Sequence, residues 1–201
     1  MSLIDFLPLA ATACAVPQLV PQLARLVRTR RPDGVSPAWA SLTAASNLGW
    51  LAYFTSTGLW TAAVPSTTCA LVAGGIVVAL GRAGAPVRRG VAIGTTWLAV
   101  LIAAVALAGP TGLGGVLAGA FVLQVVPSLR TAWSTTEPVG VSRATWVLIG
   151  AEVVCWGAIG LLDARPPLIA LGVTGVTAAA AMLVLTRAGR LRAAPAPAPA
   201  A

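Results

Sequence analysis

Residues 16–39 read VPQLVPQLARLVRTRRPDGVSPAW, and the rest of the chain is arranged around this stretch. An apolar segment carries Pro-Gln twice, at Pro17-Gln18 and Pro21-Gln22, and runs out into Arg25, Arg28, Arg30 and Arg31. The chain then turns at Pro32-Asp33-Gly34 and begins a new apolar segment through Val35-Ser36-Pro37. A weaker copy occupies residues 122–146, VLQVVPSLRTAWSTTEPVGVSRATW. Pro21 and Pro127 stand 106 residues apart. The same offset pairs Gln18 with Gln124, Pro32 with Pro138, Gly34-Val35-Ser36 with Gly140-Val141-Ser142, and Trp50 with Trp156. One match at a fixed offset carries little; this many in order indicate an internal duplication.

Composition places both copies in a membrane. Hydrophobic residues make up 58% of the chain and charged residues 9%, against about 25% charged in soluble domains. Mean hydropathy is +0.90, and the apolar runs approach the ~20 residues a helix needs to cross a bilayer. The fold class is therefore all-α integral membrane. The formal net charge of +8 comes from arginines at the ends of the apolar runs, an orientation signal rather than a nucleic-acid patch. Cys14, Cys69 and Cys155 fall inside apolar runs, with no CxxC, and the chain contains no His. They are expected to behave as small buried residues, with no metal site, no disulfide framework and no cofactor. The N-terminus lacks the basic region of a signal peptide and carries Asp5 instead, so it is read as a retained transmembrane helix.

Seven helices are predicted, over about Leu3 to Arg28, Ser36 to Phe54, Leu59 to Leu80, Gly90 to Ala108, Leu113 to Trp133, Val141 to Leu161 and Pro167 to Thr186. The first is expected to break at Pro8, Pro17 and Pro21, because an interior proline donates no hydrogen bond and collides with the carbonyl four residues back. The fourth matches neither copy of the motif and is read as a linker. The domain reading is a first three-helix repeat over 1–82, a linker helix over 83–110, a second repeat over 111–188 and a disordered Ala/Pro tail over 189–201. An odd number of crossings would invert the second repeat; the added linker crossing keeps the two parallel, related by a pseudo-two-fold along the membrane normal. Arginines crowd one set of turns and only Arg165 falls on the other side. The positive-inside rule then puts the N-terminus outside and the C-terminus in the cytoplasm. Gly90-x-x-x-Gly94 and Gly115-x-x-x-Gly119 are candidate close-packing sites.

The doubled Pro-Gln, basic loop and Gly-Val-Ser re-entry resemble the PQ-loop superfamily. The three-one-three layout is similar to its SWEET branch (MtN3/saliva) of sugar uniporters, whose bacterial SemiSWEET relatives carry one three-helix unit and dimerise. The resemblance covers both repeats, with Leu123 in place of the first proline of the motif and Ser128 in place of its second glutamine. It implies a seven-helix transporter of a bacterial plasma membrane, working by alternating access. It also implies hinges at Pro21 and Pro127, with Gln22 beside the first, and a substrate pocket bordered by Trp50 and Trp156. An indole face packs well against the C–H face of a pyranose; the other reading makes these tryptophans interfacial belt residues like Trp39, Trp60 and Trp133. SWEET-type pockets carry an Asn in the third helix of each unit. Those positions fall here on about Ser66 and Gly172, with Thr67 and Thr68 beside the former.

Two polar groups inside apolar runs complete the candidate site. Asn47 and Glu152 each precede their repeat's tryptophan by a few residues, and Glu152 shares a helix face with Trp156 four residues on. An intramembrane carboxylate lines a cavity or relay, or else serves as a structural hydrogen-bonding partner. Its mate by the 106-residue offset is Ser46, so the acid is unpaired between repeats. Asp5 and Asp163 are expected near helix ends, and Asp33 and Glu137 in turns beside arginines.

The leading functional expectation is a transporter of a small polar solute, sugar first, partnered by the lipid bilayer, with homo-oligomerisation left open. A proton-coupled transporter of an amino acid or other metabolite is the second reading. A non-transporting receptor or assembly protein is the third, which a core without a polar cavity would favour. No enzyme is expected: there is no His, no GxSxG and no paired acidic metal site.

Overall fold

The computed structural model describes residues 3–58, 60–135, 138, 140–162, 164 and 166–193. Glu137, Asp163 and Arg165 lie outside the described residues, as do positions 194–201 of the expected tail and the side chain of Asp5. The elements are α1 (Leu3–Ala15), α2 (Val20–Thr29), α3 (Pro37–Ser56), α4 (Trp60–Arg82), α5 (Arg88–Ser134), α6 (Arg143–Leu162) and α7 (Pro166–Ala193), with no strand among the described residues. Among the described residues, five stretches are long and apolar enough to cross a membrane: 6–29, 62–82, 88–117, 143–162 and 168–188. The chain is thus all-helical and compatible with a multi-pass membrane protein. Helix α3 spans 20 residues but is not among the five, because Ser41, Ser46 and Asn47 dilute its apolar content.

The first predicted helix divides once, not three times. Pro8 sits within α1 without ending it. The break falls at Val16–Leu19, and Pro21 occupies the first turn of α2, where a missing N–H costs nothing. The carbonyl of Pro17 has no donor at Pro21 and accepts instead from the Val20 N–H at 3.0 Å.

Helices four and five need no loop between them. Within α5, Gly109 alone has non-helical angles, φ 63° and ψ −163°, a region essentially reserved for glycine. A Cβ on Gly49 of α3 would meet both Leu101 and Leu117. A straight helix would part those two leucines by roughly 24 Å. The chain therefore folds back at Gly109, and α5 is a hairpin of two limbs, both packed on α3.

Close approach between the first limb and α3 relies on glycine, which lets helix backbones come together. A Cβ on Gly94 of the first limb would stand 2.9 Å from the Ser41 carbonyl oxygen, and one on Gly90 2.7 Å from the Pro37 carbonyl carbon. Gly115 and Gly119 have nothing near them, so only the first of the two small-residue motifs forms a contact. Gly94→Val should accordingly push the first limb off α3, at ~1–3 kcal/mol for overpacking, and lower the melting temperature of the purified protein. Gly119→Val should leave it unchanged, and equal melting of the two variants would contradict this packing.

The Gly-Val-Ser re-entries have a local cause. Ser36 caps α3, its Oγ accepting from the Trp39 N–H at 3.2 Å, and Ser142 stands likewise 3.5 Å from the Thr145 N–H on α6. Gly34 has φ 81°, closing the turn in which the Val35 N–H reaches the Pro32 carbonyl at 2.9 Å. The two turns interlock: the Gly140 N–H donates to the Asp33 carbonyl at 2.9 Å, and a Cβ on Gly34 would lie 2.6 Å from that of Pro138. Asp33 itself is exposed beside Arg31, 3.5 Å from its Nε. Helix α7 continues to Ala193, past the expected domain end at 188, so the first residues assigned to a disordered tail are helical.

Candidate functional site

A cavity of about 120 Å³ lies between the two halves of the chain. It is walled by α1 and the turn after it, α3, α4, the second limb of α5, α6 and α7. Eight pairs of lining residues stand at the 106-residue offset: Ala15 with Phe121, Gln18 with Gln124, Leu19 with Val125, Thr43 with Ile149, Asn47 with Val153, Trp50 with Trp156, Ala62 with Leu168 and Pro65 with Leu171. Equivalent positions of the two sequence copies thus face one space.

All five residues expected to meet a substrate, Trp50, Trp156, Asn47, Ser66 and Glu152, line this cavity. The Trp156 Nε1–H donates to Glu152 Oε1 at 3.1 Å, and the Gln18 amide also faces that carboxylate. Asn47 Nδ2 donates to the Thr43 carbonyl at 2.9 Å, and Ser66 Oγ to the Ala62 carbonyl at 3.2 Å. Trp50 stacks with Phe54 one turn on, centroids 5.4 Å apart at 21°. Thr67 and Thr68 do not line the cavity; they hydrogen-bond back to Ala63 and Val64 in their own helix. Gly172 does not line it either. A Cβ there would stand 2.5 Å from the Cα of Gly157, so tight packing of α6 on α7 leaves no room for an asparagine.

The asymmetry around Glu152 is structural as well as sequential. Its mate Ser46 lines no part of the cavity; its Oγ accepts from the Trp97 Nε1–H of the first α5 limb at 2.8 Å. The linker limb therefore occupies, on one side only, the place equivalent to the acid.

The hinge residues are placed differently from expectation. Gln22 is 1% exposed, yet it is a clasp rather than part of the break: Nε2 donates to the Gly140 carbonyl at 2.8 Å and Oε1 accepts from the Ser142 N–H at 2.7 Å. Pro127 lies in a limb that is helical throughout, so the second copy has no break to match the first.

Trp39 is not a belt residue. It is 5% exposed and packs on Trp146, centroids 5.7 Å apart, whereas Trp60 and Trp133 are exposed. The pair closes one end of the cavity, and the Gln22 clasp and interlocked turns lie beyond it. At the other end Phe54, Ala62 and Leu168 border the cavity within a few residues of their helix ends. The tryptophan pair, the clasp and the interlocked turns all lie on the arginine-bearing side of the cavity.

Gln18, Cys69 and Gln124 are among the wall residues that escaped sequence reasoning. Gln18 bonds Cys69 Sγ at 3.0 Å, Cys69 Sγ in turn reaches the Ala15 carbonyl at 3.2 Å, and Gln124 Nε2 reaches the Leu42 carbonyl at 3.3 Å. The offset pairing of Gln18 with Gln124 was the signal available for two of them; Cys69, expected to be an inert buried thiol, offered none. Compared with family models, curated proteins and solved structures, the chain matches none of them.

Proposed function

We propose that this chain is a membrane transporter that moves a small polar solute by alternating access between two three-helix repeats. The observation carrying the proposal is the cavity, lined in register by equivalent residues of both repeats and closed on one side by a clasp joining them. Seven crossings arranged three-one-three would follow, counting α1 with α2 as one and α5 as two. The arginine distribution argues for an outside N-terminus and a cytoplasmic C-terminus, in a bacterial plasma membrane if the PQ-loop resemblance holds. The clasped side would then be cytoplasmic and the cavity accessible from outside. A non-transporting receptor is less well supported, because a polar cavity between repeats has no use in a sealed scaffold.

The test is uptake by proteoliposomes containing the full chain, offered sugars, amino acids and organic cations in parallel. Saturable uptake of at least one class is expected, reduced about tenfold or more by Trp50→Ala or Trp156→Ala through loss of a stacking face. Uptake of every class at the rate of empty liposomes would remove the transport reading.

A further inference from the structure

We propose that the solute is a small organic cation, an ammonium compound held by Glu152 within aromatic walls; this rests on the transport reading and names its substrate class. Two features of the cavity converge on that chemistry. First, Glu152 brings a carboxylate into the wall while no arginine lines the cavity. Arg143, on the same helix, precedes it by nine residues, roughly 13 Å along the axis. A buried carboxylate needs a counter-charge or a proton, and here the wall supplies only the Trp156 N–H and the Gln18 amide. The other titratable groups near it are the thiols of Cys69 and Cys155, which bring no positive charge.

Second, the aromatic lining is dense for its size. Trp39, Trp50, Phe54, Phe121, Trp146 and Trp156 all border the cavity. Their faces carry the negative end of the ring quadrupole, which attracts cations and repels anions.

A zwitterion would need a cationic partner for its own carboxylate, and the wall holds none; an ammonium ion needs only acceptors, a negative charge and aromatic faces.

The experiment titrates the detergent-solubilised full chain with tetramethylammonium chloride, choline and glucose, following tryptophan fluorescence, with sodium chloride as the ionic control. Uptake of labelled choline into proteoliposomes runs in parallel. Saturable binding of both cations is expected. Glu152→Gln should weaken it about tenfold or more, Trp50→Leu about threefold or more, and Glu152→Asp much less, since it keeps the charge. If Glu152→Gln does not fold, the Trp50→Leu and Glu152→Asp arms carry the comparison. Glucose binding with no response to either cation overturns the proposal. So does cation binding indifferent to Glu152→Gln, and so does a variant that changes only the pH profile of uptake, which would make the acid a proton carrier. Cation binding without choline uptake would defeat the transport reading and leave the cation site standing. Saturable glucose uptake indifferent to Glu152→Gln would do the reverse.

Discussion

Gln22→Ala is expected to open the arginine-bearing side of the cavity. The substitution leaves the Gly140 carbonyl and the Ser142 N–H, both paired only through this amide side chain among the contacts described, buried without partners. Each orphaned backbone group costs ~1–3 kcal/mol, and water reaches them only if the turns separate. A shift of ~1.4 kcal/mol already changes a population tenfold, so the open form should gain by about tenfold or more. The second repeat cannot compensate. Where a reciprocal glutamine would stand there is Ser128, whose Oγ lies against Met182 Sδ at 4.0 Å within its own repeat. The measurement is the labelling rate of Val35→Cys by a membrane-impermeant maleimide, with Cys14, Cys69 and Cys155 replaced by alanine. Val35 is buried in the interlocked turn, and labelling should accelerate about tenfold or more in the Gln22→Ala background. Gln22→Glu should fall between, since it keeps the acceptor for Ser142 and sets an acceptor against the Gly140 carbonyl. An unchanged rate in a folded Gln22→Ala protein would mean that the interlocked turns hold without the clasp.

The clasp illustrates what a sequence read at a fixed offset can and cannot supply. The duplication was legible because several residue identities survive at one spacing; Trp50 and Trp156 were expected at a pocket from the PQ-loop resemblance, and Glu152 was joined to Trp156 by helical periodicity. Ser66 was named because it falls where the resemblance puts an asparagine. The role of Gln22 was not legible, because its partners are backbone atoms of Gly140 and Ser142, whose identity leaves no mark in the sequence beyond the turn they form. The Gly109 reversal was hidden for a related reason. Ala108-Gly109-Pro110 sits inside one long apolar run, and nothing in composition says whether such a run bends once sharply or passes through a loop. The burial of Trp39 against Trp146 was also out of reach. Those two residues are not equivalents at the offset, so their stacking is a property of how the repeats meet rather than of either repeat. The resemblance implied matching hinges at Pro21 and Pro127, but only the first copy is broken in this structure, because matching prolines need not have matching surroundings.

That difference sets up the second large effect. Pro17→Ala with Pro21→Ala should join α1 and α2 into one helix, whereas Pro127→Ala should change little. In the first copy two i to i+4 bonds four residues apart are missing: the carbonyls of Ala13 and Pro17 face residues without an N–H. The resulting turn is held by weaker substitutes, Gln18 N–H to the Ala15 carbonyl at 3.3 Å and Val20 N–H to the Pro17 carbonyl at 3.0 Å. Restoring both donors removes an interior-proline penalty of ~3 kcal/mol or more from the straight form. A straight helix would change how the two glutamines stand relative to each other, because Gln18 meets Cys69 from within the break and Gln22 meets Gly140 from the helix after it. One contact is then expected to be lost, and with it either the cavity wall or the clasp. Solute exchange in proteoliposomes should fall about a hundredfold, and amides 16–20 should become protected from hydrogen exchange. In the second copy one proline stands in an unbroken limb, where the Thr131 hydroxyl already reaches the Pro127 carbonyl at 2.8 Å, so Pro127→Ala only adds a donor to an existing helix. Exchange there should stay within about threefold of the native protein. Equal slowing by Pro127→Ala would mean that the second limb also bends during turnover, and that the permanent break in the first is not the moving part.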